Sequence, residues 1–588
     1  MISKGRQMRS ITFAIPVAPE DPTIDPARLS QLIEFVAGQE AVTRILVAYE
    51  RHEQLASIKE MIPVPQKIEF IRVDGWISAS AMTRILERSD DGLLLALAGL
   101  DLRFERNCID KFIEAAAISG AGLVYSDHRQ RMGAKVIECP AIGYQEGCIR
   151  DTFNFGPLVL ISTRAAKEAF SKYGHPSGDL RWHGFYDLRL KLSIDNRFMH
   201  VAEALYVRNE APVQRSRSRA MTMRDVFYAV DRGAHAFEIE AENVATAHLR
   251  RIGAYVKAGS APLPPQELVE GFPVMASIII PTRNRDRTLR EAIDSALVQS
   301  TSFTYNIIIV DDHSTDSTEE IIRAASRCSD RIIHMVPSRN DLGIGGMWNE
   351  AIYSKHCGLY AVQLDSDDVF AHEQALEMLI NEFSEGSIKP AMDGLVTPRY
   401  AMVLGSYLCV DADLAEIPSG LDQPPELSRE NVRNKLLCVD GPSAPRAFYV
   451  PVLRRFGFPN VSFGEDYAIA LRIAREYDVG RVFEPVYLVR RWDENTTRSL
   501  SYGSLKGVSM KELMPDAVNK RELWSRLEPI VGPLTIASRN HGNTYKDYLR
   551  TIEIQARREI NRRRTQPDDC RNGIARAIPG PTAGKSYV

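Results

Sequence analysis

The chain has 588 residues, 44% of them hydrophobic and 25% charged, with a formal net charge of −3. That length exceeds a single core and implies roughly two to four domains. The near-neutral balance excludes a general pull toward nucleic acid, and no apolar run is long enough to span a bilayer, which leaves only peripheral membrane contact. The eight cysteines form no CxxC pair, so neither a zinc ribbon nor a disulfide framework is signalled, and reduced thiols in a cytoplasm are expected.

At the N-terminus, MISKGRQMRSITFAIPV places basic residues before a short apolar run that Pro16 and the acidic Glu20 and Asp21 break. This is too short for a secretory leader, and SITFAIPV reads as a first buried strand. Apolar runs follow within Arg44–Gln54 and Leu93–Phe104. In GFYDLRLKLSID, Leu188, Leu190, Leu192 and Ile194 alternate with period two, so the local pattern predicts a strand. Residues 212–273 predict a linker, helix-like at first and then Pro-rich in GSAPLPPQE (Gly259–Glu267).

From 274 to 500, apolar strands alternate with amphipathic helices. Ser277–Pro281 and Ile307–Val310 have the composition of buried parallel strands. Between them Leu289, Ala292, Ile293, Ala296 and Leu297 recur at the spacing of a core-facing helix. Another helix is expected to open near Ser314, and GIGG (Gly343–Gly346) opens a third. LDSDD (Leu364–Asp368) ends an apolar run, after which Leu376, Leu379, Ile380 and Phe383 repeat the helical stripe. In GEDYAIALRIAREY (Gly464–Tyr477), Ala470, Ile473, Ala474 and Tyr477 form a buried stripe, which puts Glu465 and Asp466 in the first helical turn. The alternation predicts an α/β fold with an open, mostly parallel, Rossmann-like sheet. Residues 501–555 predict a helical appendage around Leu523, Trp524 and Leu527, and 556–588 a basic, disordered tail.

Residues 1–211 read as a worn copy of the plan at 274–500. SITFAIPVAPED parallels ASIIIPTRNRD, RILVAYERHEQ parallels NIIIVDDHSTD, LLLALAGLDLRF parallels LYAVQLDSDDVF, and EALYVR parallels EPVYLVR, all in the same order. The acidic groups differ. Asp311-Asp312 corresponds to Tyr49-Glu50, and the Asp365–Asp368 tetrad to Ala98-Gly99-Leu100-Asp101. Asp187 matches Asp466 only if its segment is a helix.

Sugar transfer from a nucleoside diphosphate sugar needs a nucleotide grip, neutralisation of the departing diphosphate, and a base for the acceptor hydroxyl. Asp311 and Asp312 end a strand where open parallel sheets bind ligands, and a carboxylate there can accept from a base imide or ribose hydroxyl. Pro281, Arg283 and Asn284 leave the preceding strand toward the same pocket, and Gly343 begins a glycine cluster where a ligand could approach the backbone. Asp365 and Asp367 are hard oxygen ligands suited to Mg²⁺ or Mn²⁺. Asp466, with Glu465 beside it, is the candidate base, although acidic residues are common in a first helical turn.

Together these segments resemble the family 2 inverting glycosyltransferases of GT-A fold over positions 274–500, preceded by a degenerate GT-A-like copy. The resemblance implies that Arg283 and one of Asp311 and Asp312 contact the base. It places Asp365 near the ribose, Asp367 on the metal and Asp466 as the acceptor base, in a one-step inversion. It further implies a nucleoside diphosphate sugar donor, expected to be UDP-linked, and a hexosyl or N-acetylhexosaminyl group as cargo. The acceptor would be a glycan, a lipid-linked species or a protein. Arg490 and Arg491, within VRRWDENTT, stand where many members carry a loop over the diphosphate, and Trp492 could stack on a sugar. An Arg-Asn pair of the family appears as Trp348-Asn349. Pro442 and Arg446, with Asp440 and Gly441, are placed at the acceptor pocket. Rival readings are a two-site polymerase, a nucleotidyltransferase and a non-catalytic glycan-binding scaffold.

Overall fold

The computed structural model describes residues 10–16, 26–50, 55, 59, 67–97, 102–141, 143–144, 147–151, 153–209, 234–257, 263, 271–384, 398–415, 432–438, 442, 444–461, 464–491, 550, 553–554, 556–558 and 561. The Ala98–Asp101 segment, Trp492, Asp440, Gly441 and the stripe at Leu523, Trp524 and Leu527 lie outside these residues.

The first half runs β1 (Ile11–Pro16), α1 (Pro26–Ala37), β2 (Val42–Tyr49), β3 (Ile68–Arg72), α2 (Ala79–Arg88), β4 (Gly92–Ala96), β5 (Leu102–Phe104) and α3 (Cys108–Ser119). It continues through β6 (Leu123–Met132), β7 (Lys135–Cys139), β8 (Leu158–Ser162), α4 (Thr163–Tyr173), α5 (Gly184–Asp195) and β9 (Phe198–Asn209). A long helix, α6 (Ala234–Arg251), leads to the second half. That half runs β10 (Ala276–Thr282), α7 (Leu289–Leu297), β11 (Tyr305–Asp311), α8 (Thr318–Cys328), β12 (Ile332–Met335), α9 (Ile344–Tyr353), β13 (Tyr360–Gln363), β14 (Val369–Phe370) and α10 (Ala375–Glu382). It ends with β15 (Met402–Val410), α11 (Val432–Lys435), β16 (Arg446–Tyr449), α12 (Val450–Phe456), α13 (Glu465–Glu476) and β17 (Val479–Arg490).

The two sheets have one topology. The first has the order β3-β2-β1-β4-β8-β6-β9-β5, with β7 paired to β6, and the second β12-β11-β10-β13-β16-β15-β17-β14. Each strand of the first path has a counterpart at the same place in the second, and the four sequence parallels fall on equivalent strands. Even the ladder irregularity recurs, at Ser126/Asp127 between β6 and β9 and at Leu404/Ser406 between β15 and β17. Both are mixed α/β sheets, parallel through β10, β11, β12 and β13 and their counterparts. Every residue of β10 and β11 is buried, as expected of strands covered by helices on both faces.

Two local expectations differ from the structure. The helix after β11 begins at Thr318 instead of near Ser314, because Asp311 and Asp316 hold the intervening residues in turns. Ser314 donates its amide to Asp311 Oδ1 at 3.0 Å, and Thr318 to Asp316 Oδ1 at 3.0 Å. The Leu188–Ile194 alternation belongs to a helix, α5. Leu188 and Leu192 pack into the core of the first sheet, while Tyr186 and Leu190 join a core continuous with the second domain. A helix buried on opposite faces carries leucines all round, and period two is one way of spacing them.

That shared core also takes in Leu180, Val244, Ala245 and Leu249, so α6 is packed into the protein and not merely a connector. Among the described residues no helix is long and apolar enough to cross a membrane.

Candidate active site

β10, β11 and β13 are parallel neighbours, so Pro281–Asn284, Asp311–Asp312 and Asp365–Asp368 leave the sheet along one edge. β16 is antiparallel to β13, and its first residue, Arg446, therefore starts at that same edge. Asp312 is buried at 2% exposure. Its amide donates to Thr282 O at 2.9 Å, and its Oδ2 accepts from Arg283 Nη1 at 2.9 Å. Its Oδ1 is buried without a hydrogen-bond partner. A buried carboxylate oxygen left unpaired is costly, and here it lies at the carboxyl ends of the parallel strands.

Asp311 is used differently. Besides the Ser314 amide, it has His334 of β12 beside it, with Nε2 3.6 Å from Oδ2. Asn284, at φ +51, accepts from the Thr315 amide at 2.8 Å and takes up the Ser314 hydroxyl through its own amide at 2.9 Å. The loops after β10 and β11 are thus tied to one another, and Arg283 remains largely exposed at their rim.

In the LDSDD turn the Asp368 amide donates to Asp365 O at 3.1 Å. Gln363 Nε2 donates to both oxygens of Asp365 at 2.9 Å, and the Asp365 amide donates to the Tyr487 hydroxyl oxygen at 2.8 Å. Burial, with Asp367 and Asp466 nearby, raises the Asp365 carboxyl above its ordinary value against the pull of Arg446 and Gln363. Asp368 faces inward. It accepts the Arg490 amide at 2.8 Å, and burial next to Asp367 and Asp365 raises its carboxyl well above the usual range. Asp367 is half-buried. Its carboxylate and that of Asp365 supply hard oxygen donors. Among the described residues no group of three or more His, Cys, Asp or Glu side chains forms a ready-made metal site.

Glu465 and Asp466 open α13 after Gly464, whose φ of +80 sets the entry angle. Asp466 Oδ2 accepts from Arg446 Nη1 at 2.5 Å and Oδ1 from the Tyr467 amide at 2.7 Å. Arg446 also donates to Pro442 O at 3.1 Å and is influenced by Asp365 as well as Asp466. A single buried guanidinium therefore links two of the carboxylates that the sequence singled out. Glu465 turns away into the interior, where burial and the Asp466 charge push its carboxyl up to about 8. At neutral pH its protonated form is favoured.

The glycine cluster serves the protein itself. A Cβ on Gly345 would lie 1.9 Å from Pro459 O and one on Gly346 2.4 Å from Asn460 Oδ1. The Gly343 amide donates to that same Asn460 oxygen at 2.8 Å. The close approach is by the 459–461 segment that delivers α13, whereas the sequence had offered a ligand. Trp348 packs on Phe448 and Phe458, and Asn349 grips the Phe458 backbone in both directions. Arg490 is committed to Ala412 O and Glu291. Arg491 is exposed at the end of β17, with its amide on Val410 O at 2.7 Å. Sequence reasoning missed Gln363, Tyr487 and His334, since an isolated Gln, Tyr or His in a strand carries no motif.

At the matching edge of the first sheet, Trp76 Nε1 donates to Ala96 O at the end of β4 at 2.8 Å. Tyr49 is buried where Asp311 stands in the second sheet. Counting from the glycine that precedes each acidic helix, Tyr186 occupies the place of Asp466. Asp187 lies one residue on, buried against Lys191 at 2.5 Å.

Residues 277–397 match the family model for glycosyl transferase family 2. Sheet topology and this match together make the second domain similar to the family 2 glycosyltransferases. The chain is 34% identical over 101 residues to the poly(ribitol-phosphate) beta-glucosyltransferase of Bacillus spizizenii, covering 17% of this chain and 16% of that protein. It is 29% identical over 159 residues to the GalNAc(5)-diNAcBac-PP-undecaprenol beta-1,3-glucosyltransferase of Campylobacter jejuni, covering 26% of this chain and 46% of that protein. The chain thus spans less than half the length of these curated relatives. Among solved structures, S. aureus TarS 1–349 with UDP-GlcNAc matches 38% of this chain and 61% of that chain, at 19% identity and a TM-score of 0.30.

Proposed function

We propose that the second domain transfers a sugar from a nucleoside diphosphate sugar, UDP-linked, to an acceptor hydroxyl in one metal-dependent, inverting step, and that the first domain is non-catalytic. The observation that carries this reading is the gathering of Asp312, Asp365, Asp367 and Asp466 along one sheet edge, with Arg446 bridging to Asp466. In this reading the unpaired Asp312 Oδ1 accepts the imide N–H of the base, and Arg283, already oriented by Asp312 Oδ2, covers it. Asp365 serves the ribose from the position that Gln363 and Tyr487 set. Asp367, with Asp365, would hold Mg²⁺ or Mn²⁺, which when bound supplies neutralising charge for the departing diphosphate. Arg491 stands at the rim as a further partner for phosphate oxygens.

Asp466 takes the acceptor proton. With Asp466 as base, the step would be a single displacement with inversion and no glycosyl-enzyme. The names of two relatives, both beta-glucosyltransferases, fit a hexosyl cargo. A glycan, lipid-linked or protein hydroxyl would serve as acceptor, and the replacement of Asp311-Asp312 by Tyr49-Glu50 and of the Asp365–Asp368 tetrad by Ala98-Gly99-Leu100-Asp101 in the first domain supports catalysis in one half alone. The test is a panel of UDP-, GDP- and dTDP-sugars with Mg²⁺ or Mn²⁺, scored for sugar transfer and donor hydrolysis. Wild-type protein is expected to consume a UDP-sugar only with metal, and Asp367→Ala to lose that turnover. Undiminished, metal-dependent turnover by Asp367→Ala would sink the assignment.

A further inference from the structure

Arg557 and Asn561, which the sequence places in a basic tail, are helical, as are residues 550, 553 and 554. Arg550 and Arg557 are both fully buried. The Arg550 guanidinium lies over the ring of Tyr467, 5.1 Å from its centroid. Tyr467 follows Asp466 in the chain, donates its amide to Asp466 Oδ1, and anchors its hydroxyl on Leu436 O at 2.7 Å. In the last turn of the same helix, Arg475 Nη1 donates to Glu553 Oε2 at 3.4 Å. Glu553 is held in turn by Arg557 Nε at 2.8 Å. The C-terminal residues therefore grip α13 at its first turn and at its last.

They also fix what α13 is gripped against. Arg557 donates to Asn434 Oδ1 at 3.1 Å and to Arg433 O at 2.8 Å, both in α11. Asn561 Nδ2 donates to Gly253 O and Tyr255 O at 2.8 and 2.9 Å, just past α6. Asn434 completes the tie by exchanging hydrogen bonds with the Val256 backbone. Buried guanidinium groups are expensive relative to apolar side chains of similar volume, and what they provide in return is a single, directional placement.

We propose that Arg550, Glu553, Arg557 and Asn561 form a positioning element for the acceptor base: they set the angle of α13 against α11 and the end of α6, and through Tyr467 the place of Asp466. This rests on Asp466 acting as the base. None of these contacts is made to Asp312, Asp365 or Asp367, so turnover is expected to depend on the contacts far more than donor binding does.

The experiment compares full-length wild type with Arg550→Met, Arg557→Met and Arg557→Lys. The measurements are kcat with donor and acceptor, UDP affinity by titration, thermal unfolding, and hydrogen exchange at the amides of residues 465–468. Both Met variants are expected to lower kcat by roughly tenfold to a hundredfold, as a small misplacement of a reacting group does. UDP affinity should stay at the wild-type value while exchange at 465–468 accelerates. Arg557→Lys should recover little, because an ammonium cannot reach Glu553, Asn434 and Arg433 O with one planar fork. Wild-type kcat per folded molecule in both Met variants would overturn the proposal, as would UDP affinity falling in parallel with kcat. Failure of the transferase reading looks different: wild type itself would then transfer no sugar from any donor.

Discussion

At the residue scale, the two adjacent carboxyls of α13 have opposite environments. Asp466 meets Arg446 at the sheet edge, and Glu465 is buried with its carboxyl pushed up from 4.5 to about 8. Because the folded-state value lies above the unfolded one, folding favours the protonated form. The contribution of Glu465 to stability is complete below about pH 4.5 and is lost as the pH rises through about 8. Glu465→Gln removes this titration. Chemical denaturation across that range should show the variant gaining on wild type by on the order of a few kcal/mol by pH 8. Parallel profiles for the two proteins would contradict a buried, proton-bearing Glu465.

At the scale of elements, α9 and the 459–461 segment meet without room for a side chain. Gly345→Ala would drive its Cβ toward Pro459 O, a backbone atom only 1.9 Å from the ideal position. Neither helix nor loop can yield cheaply, since Asn460 is bonded to the Gly343 amide and to Asp341 O. The substitution is expected to cost about 1–3 kcal/mol or more. It should also shift the Gly464 turn that launches Glu465 and Asp466, lowering turnover in the protein that remains folded. Melting temperature and kcat measured together test this; an unaffected melt would mean the contact is looser than the geometry states. The glycine cluster was legible in the sequence, but its partner was not. Pro459 and Asn460 lie more than a hundred positions downstream, and nothing local announces that the two segments meet.

At the scale of the molecule, two copies of one topology share a core. Leu190 of α5 is fully buried in the cluster that includes the strands of the second sheet. Leu190→Ala should cost roughly 2–5 kcal/mol, and scanning calorimetry should show the melting of both sheets shifting together. Two transitions, only one of them displaced, would show that the halves unfold independently. The duplication itself was readable because buried parallel strands retain Ile, Val and Leu whatever ligand they serve. The counterpart helix α5 was not readable, because a helix squeezed between two cores loses the polar face on which its period depends.

The sequence by itself determined the strand–helix alternation, the repeat and the acidic residues that distinguish one copy from the other. Those features are local in the chain: periodicity, a strand end, a first helical turn. Tertiary structure alone decided the surroundings of each carboxylate. Arg446 meets Asp466 from twenty residues away, and burial raises the carboxyl of neighbouring Glu465. It also decided that Arg557 and Asn561 belong to the folded protein and not to a tail. The physical reason is the same in each case. A side chain's charge, proton and partner depend on what surrounds it in space, and residues brought together from distant parts of the chain leave no pattern along it.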